Sequence, residues 1–305
     1  MRAVVNTPDG PGRVGVTGDA PEPVPTPNEA LVGVQTFSLN RGELALLAAR
    51  PAGWRPGQDI AGTVLTPARD GSGPAAGTRV VGLLEQAGWA ERVAVPVRRL
   101  AAVGYGVELT AAATLGIAGR TALRTVALGG NLLGRRVLVT AAGAVGRFQI
   151  QLAALAGAQV VAVSRRADTG KALLALGAAD VVATVADAGG LFDLVLDSVG
   201  GRTLAAAVSK VTPAGSVVLI GAVDPEPAQL TLLDFLGHEN AAIRSYFSYA
   251  QPDTVDTDLA TLAALLADQR LTPHVELYAG WDSVTAALDA LAAGRVDGKA
   301  VITVP

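Results

Sequence analysis

Between about Thr110 and Arg244, short uninterrupted apolar runs alternate with stretches of helical period. Arg136-Val-Leu-Val-Thr140 reads as a continuous strand. Val145, Phe148, Leu152 and Leu155 then recur at helical spacing, and Gly157 is placed to end that helix. Val160–Val163 is the next strand, and a helix through Lys171 to Leu176 closes at Gly177. Val181-Val182, Leu194–Leu196 and Val217–Ile220 continue the series. Strands apolar on both faces, alternating with amphipathic helices, predict a parallel sheet covered on both sides.

The flanking regions have a different texture. Residues 1 to about 110 are rich in Pro, Gly and short β-type runs: Ala30–Phe37, Ile60–Leu65 and Thr78–Leu83 are candidate strands. Pro21-Glu-Pro-Val-Pro-Thr-Pro27 cannot lie inside a central strand and reads as loop or edge, and Asp70–Gly77 reads as a turn. From about Ala250 the chain predicts one helix near Asp258–Asp268, a second after Trp281 that closes at Gly294, and a last strand over Lys299–Val304.

Composition narrows the chemistry. The 305 residues are 50% hydrophobic with a formal net charge of -3, which excludes disorder. A pI near 5.5 without basic runs argues against a nucleic-acid partner. Zero cysteine removes disulfides, thiolate nucleophiles and Cys-ligated metals, and His238 and His274 alone cannot build a multi-histidine metal site. Gly and polar residues interrupt every apolar run before it reaches a membrane span, and Met1 to Gly12 lacks the apolar region of a secretory signal. The expectation is a soluble, cytoplasmic protein with no membrane partner.

Thr140-Ala-Ala-Gly-Ala-Val-Gly146 lies between the first strand of the alternating region and the helix after it. It follows G-x-G-x-x-G with Ala141 in the first position. Gly143 would let backbone approach a pyrophosphate, Ala142, Ala144 and Val145 would line the same turn, and Gly146 would allow close helix–strand packing. An ordinary tight strand–helix turn is the competing explanation, and the strand–turn–helix–strand context favours the dinucleotide site. At the end of the second strand, where NAD sites place an acid for the ribose hydroxyls, stand Ser164-Arg165-Arg166, with Lys171 beyond. Guanidinium groups bind a 2′-phosphate that an acid would repel, so the expected cofactor is NADP(H).

Taken together, the segments Ser38–Glu43, Pro56–Gly62, Gly88–Glu91, Ala118–Leu123, Ala142–Gly146, Phe192–Gly201 and Gly294–Val301 resemble, in order and spacing, the medium-chain dehydrogenase/reductase superfamily and its zinc-free quinone oxidoreductase-like branch. The resemblance implies an α/β fold class. A GroES-like β-rich catalytic domain over residues 1–112 and 250–305 would receive an inserted Rossmann domain, a doubly wound parallel sheet, over 113–249. It further implies that Thr121 bonds the nicotinamide ribose, with helix capping as the structural alternative. Gly221 would touch the nicotinamide through its backbone, and Phe247 and Ser248 would belong to a late loop over the cofactor.

Zinc-dependent relatives ligate metal at positions that here carry Asn40, Gln58 beside Asp59, and Ile117. Amide and alkyl side chains cannot replace thiolate and imidazole, so no metal is expected. Without a Lewis acid, conjugate addition of hydride to an enone or quinone is easier than reduction of a simple carbonyl. Asn40 is the candidate donor to the developing enolate, with Arg41 beside it as a source of charge or as a plain surface residue. Relatives that reduce enoyl thioesters often carry a Tyr near here, whereas this chain has Arg41 and Ala45. Asp193 and Asp197 read as shaping the sheet, and His238 as a surface or cap residue. Trp54, Trp89, Tyr246 and Phe247 would suit a flat substrate or a packed core.

Three readings remain open: an NADPH-dependent quinone or enone reductase, an enoyl reductase acting on a thioester-bound biosynthetic intermediate, and a non-catalytic NADPH-binding protein. A homodimer is expected through the outer strand of the parallel sheet, either Val217–Ile220 or the segment near Ile243.

Overall fold

The computed structural model describes residues 1–10, 13–250 and 252–305. They form two compact units, one of Met1–Arg120 with Tyr249–Pro305 and the other of Thr121–Ser248.

In chain order, the first unit begins with strands β1 (Ala3–Asn6), β2 (Val14–Thr17) and β3 (Glu29–Leu39), followed by helix α1 (Arg41–Ala49). Strands β4 (Asp59–Thr66), β5 (Arg79–Leu83), β6 (Arg92–Pro96) and β7 (Leu100–Ala102) come next, then helix α2 (Leu109–Ala112) and a π-helical turn over Leu115–Gly119. Helix α3 (Arg120–Ala127) leads into the second unit. That unit holds β8 (Arg136–Val139), α4 (Ala144–Leu155), β9 (Gln159–Val163), α5 (Gly170–Ala175), β10 (Ala178–Val182), β11 (Phe192–Asp197), α6 (Gly201–Val208), β12 (Val211–Leu219) and β13 (Ala242–Ser245). The chain then returns to the first unit with α7 (Val255–Ala267), β14 (Val275–Gly280), α8 (Val284–Ala292) and β15 (Lys299–Thr303).

The first unit is built on a seven-stranded sheet of order β14-β15-β3-β4-β5-β7, with β6 also pairing β3. β3 is eleven residues long and up to Thr36 its buried positions alternate with half-buried ones and the exposed Gln35, the pattern of a strand with one face in the core. Phe37 stacks on Trp89 at 5.5 Å between ring centroids and meets Trp281 edge-on at 5.8 Å. Leu39, Leu47, Ile60, Leu288 and Ile302 pack into the same cluster. Trp89 is therefore a core residue rather than a substrate-facing one, and Tyr246, in the second unit, is buried as well.

In the second unit all the strand pairs are parallel and the order is β10-β9-β8-β11-β12-β13. The order reverses between β8 and β11, the place where doubly wound sheets bind ligands beyond the carboxyl ends of their strands. The observed strands extend the sequence-predicted runs by a residue or a few at most ends. The main extension is β12, which starts at Val211 and crosses Pro213 with an irregular register against β11. β12 is paired on both sides, so the outer strand is β13, and Val217–Ile220 is not the free edge. Among the described residues no helix is long and apolar enough to cross a membrane.

Candidate active site and cofactor loop

In the second unit, the turn after β8 is shaped by two glycines with different jobs. A Cβ on Gly146 would sit 1.8 Å from the Ala141 carbonyl oxygen, so only glycine lets α4 start this close to its strand. A Cβ on Gly143 would meet nothing within 4 Å, which leaves open space over the turn. Gly143 caps α4, and Ala144, Val145 and Gly146 supply first-turn N–H groups that have no acceptor within the helix. Uncommitted first-turn amides under open space are the geometry that suits an anionic group at a helix N-terminus. Buried Ala142 lines the same turn.

The neighbouring strand ends are tied together by Asp197, which accepts from the Thr140 hydroxyl at 2.6 Å and from the Gly200 N–H at 2.9 Å. Burial raises the Asp197 carboxyl above its ordinary range, and these bonds hold it down. Its place is structural, as the sequence suggested. Gly221 lies against the same strand end, where a Cβ would come within 2.9 Å of the Ser198 carbonyl oxygen.

After β9, Ser164 turns the chain through bonds to Thr169 (2.7 Å) and to the Arg166 carbonyl (3.3 Å). Arg165 and Lys171 are exposed, while Arg166 pairs with Asp168 at 3.4 Å. Thr121 is buried in the first turn of α3. It does not cap that helix, because the helical path already runs through the π turn before it. Phe247 is exposed, and Ser248 ends the unit. His238 bonds the Val211 carbonyl at the end of the sheet, in a structural role.

In the first unit, register brings three strand ends into line: Ala300 faces Leu39, and Ser38 faces Asp59. The result is a buried polar cluster. Asp59 Oδ2 accepts from Ser38 Oγ (2.8 Å), Asn40 Nδ2 (2.9 Å) and Lys299 Nζ (3.1 Å). Its Oδ1 accepts the Ile117 N–H at 2.7 Å. Gly116 makes this approach possible, since a Cβ there would lie 2.2 Å from Asp59 Oδ1. Lys299, 2% exposed at its side chain, also donates to Asn40 Oδ1 at 2.7 Å. Arg41, the first residue of α1, is exposed and lies outside this network.

Glu43 completes the cluster. Its Oε2 accepts the Asn40 N–H (2.8 Å) and its Oε1 the Gln58 N–H (2.9 Å). Burial, followed by the Asp59 charge, pushes the Glu43 carboxyl from 4.5 up to about 8, against the pull of Lys299 and the two N–H groups. The folded state therefore holds a proton that the unfolded chain has released. Stability from this group is full below about pH 4.5 and is lost as pH rises toward 8, at about 1.4 kcal/mol per unit. Denaturant unfolding of the wild type between pH 5 and 8 should give a falling free energy, and Glu43→Gln should flatten it; parallel profiles for the two proteins would contradict this.

Sequence reasoning missed Lys299 and Glu43. Glu43 carried a local signal, because Asn40 with Glu43 three residues on is a capping-box pattern. Lys299 carried none stronger than a charge opening an apolar strand.

These features define a doubly wound parallel-sheet unit inserted in sequence into a β-rich unit that carries its own polar site. The chain belongs to the medium-chain dehydrogenase/reductase superfamily, a class of nicotinamide-dependent oxidoreductases. The family described as zinc-binding dehydrogenase matches residues 144–265. The NorB protein of the spectinabilin polyketide synthase system from Streptomyces orinoci is 32% identical over 92% of this chain, which spans 13% of that protein. An alcohol dehydrogenase superfamily protein from Novosphingobium aromaticivorans superposes with a TM-score of 0.89 at 25% identity, over 100% of both chains. The quinone oxidoreductase from Coxiella burnetii gives 0.84 at 22% identity, over 100% of this chain and 99% of that one, a likeness of fold.

The family's metal-dependent members imply a catalytic zinc, and the donors here do not fit one. Of the positions that resemblance assigns to ligands, Asn40 through its amide and Ile117 through its backbone N–H converge on Asp59, the neighbour of Gln58, whose own backbone N–H goes to Glu43. The Asp59 carboxylate is already neutralised by an ammonium that would repel a divalent cation. Among the described residues no group of three or more His, Cys, Asp or Glu is placed to hold a metal.

Proposed function

We propose that this chain is a zinc-independent, NADPH-dependent reductase that adds hydride to the alkene of an α,β-unsaturated carbonyl. The observation that carries the reading is the Asn40–Asp59–Lys299 cluster, built around Asn40, one of the positions that the resemblance assigns to a metal ligand in metal-dependent relatives. It neutralises its own charge and supplies an amide donor in place of a Lewis acid. Such a donor suits an enolate, whose charge is spread over a conjugated system, better than a localised alkoxide.

The cofactor, when bound, supplies the hydride from its reduced nicotinamide. The first-turn amides of Ala144, Val145 and Gly146 would hold its pyrophosphate, and Gly143 would leave room for it. Ser164, Arg165, Arg166 and Lys171 would hold the 2′-phosphate, with Arg165 the principal cation because Asp168 already engages Arg166. Thr121, Gly221, Phe247 and Ser248 are assigned to the nicotinamide end. Asn40 would donate to the carbonyl oxygen as charge builds there, Arg41 would offset charge on an anionic substrate, and solvent would return the proton at the α-carbon.

The polyketide synthase relatives favour an enoyl thioester as the substrate class. Following NADPH absorbance with a short enoyl thioester, a simple enone and a quinone tests the reading. Turnover is expected with the thioester and the enone. Tight NADPH binding with no turnover on any of the three would overturn it in favour of a binding protein, and turnover on the quinone alone would move the substrate class.

The outer edge of β13, which pairs with no strand among the described residues, carries Ile243 and, with exposed Leu232, Leu233 and Leu236 in the same unit, supports a homodimer. Sedimentation at micromolar concentration should give twice the chain mass, and Ile243→Lys should give one.

A further inference from the structure

Lys299 opens β15 one residue before the Ala300–Leu39 pair, so it stands beside Asn40 at the end of β3. Its backbone is fixed by a bond from its N–H to the His274 carbonyl at 3.0 Å. The side chain is among the largest fully buried ones in the molecule, and its shorter polar contact is with Asn40 Oδ1 (2.7 Å) rather than with Asp59 (3.1 Å).

The chemistry of the two neighbours sets the Asn40 amide. An ammonium only donates and a carboxylate only accepts, so Oδ1 must face Lys299 and Nδ2 must face Asp59. Turned over, the amide would set NH₂ against NH₃⁺ and oxygen against oxygen. In the observed orientation one Nδ2 hydrogen is spent on Asp59, and the other is uncommitted among the described residues. A cation on the amide oxygen also draws electron density from the nitrogen, which makes the remaining N–H a stronger donor.

We propose that Lys299 is the positioning residue of this site, locking the Asn40 amide in one orientation and polarising its free N–H toward a developing enolate oxygen. The catalytic consequence rests on the proposed reductase reading, whereas the orientation of the amide does not.

Two readouts keep these separable. The first is hydrogen exchange of the Asn40 side-chain amide by NMR, assigned by its disappearance in Asn40→Ala. In Lys299→Met both amide hydrogens should exchange at least about tenfold faster than in the wild type. The charge-neutral pair Asp59→Asn/Lys299→Met carries the same measurement if the single variant does not fold. Exchange rates equal to the wild type would overturn the proposal whether or not the protein turns over.

The second is a double-mutant cycle on turnover. Lys299→Met and Asn40→Ala should each lower kcat by about tenfold or more, with the KM for NADPH within about twofold. The double variant should be no worse than Asn40→Ala. Fully additive losses would overturn the proposal. A wild type inert toward every acceptor would refute the reductase reading, and the exchange measurement would still decide Lys299.

Discussion

Arg165→Glu should lower kcat/KM for NADPH by about 100-fold, close to 2.7 kcal/mol, and leave kcat/KM for NADH within a few-fold. On the proposed reading the variant removes a charge-assisted contact to the 2′-phosphate and sets a carboxylate against it, neither of which touches a cofactor lacking that phosphate. Arg165 is exposed at the end of β9, so the fold should be indifferent to the change, and an unaltered thermal midpoint is the control. Arg166→Ala should cost less, because Asp168 already takes up part of the Arg166 charge at 3.4 Å. Steady-state kinetics with both cofactors decides the matter. Equal losses for NADPH and NADH would move the 2′-phosphate away from this loop.

The second large effect is on stability. Asp59→Ala should destabilise the protein by about 3–5 kcal/mol in denaturant unfolding. The carboxylate is fully buried and is the shared acceptor for Ser38, Asn40, Ile117 and Lys299. Removing it takes away the counter-charge in direct contact with the buried Lys299 ammonium and strands several donors at once. The double variant Asp59→Ala/Lys299→Met should recover part of that loss, because the uncompensated charge leaves with the lysine. A cost below about 1 kcal/mol for Asp59→Ala would mean that the cluster is not charge-balanced in the way the distances imply.

How far the sequence could be read depended on whether an element's signal was local. β8, α4 and β9 were legible because continuous apolar runs, a helical period and Gly157 lie within about thirty consecutive positions. β13 and β14 were harder: one has only Ile243 as a clear apolar residue, and in the other, Val275–Gly280, half-buried and exposed positions alternate without one fully buried. The glycine turn between β8 and α4 was legible for the same local reason as β8. Asn40 was legible as a candidate donor and, with Gln58 and Ile117, as a departure from a pattern of metal ligands, which says what is missing and not what replaced it. The replacement is Lys299, 259 positions from Asn40. No periodicity spans that distance; the antiparallel pairing of β15 with β3 closes it.

The central claim is metal-free hydride transfer from NADPH to an activated alkene, and the most direct measurement follows the hydride itself. The protein is incubated with a short enoyl thioester and NADPH deuterated at C4, once on each face, in the presence of a zinc chelator. Mass spectrometry of the saturated product should find one deuterium at the β-carbon from one of the two labelled cofactors, at a rate the chelator does not change. Activity abolished by the chelator and restored by zinc, or a saturated product that carries no cofactor deuterium from either face, would contradict the account.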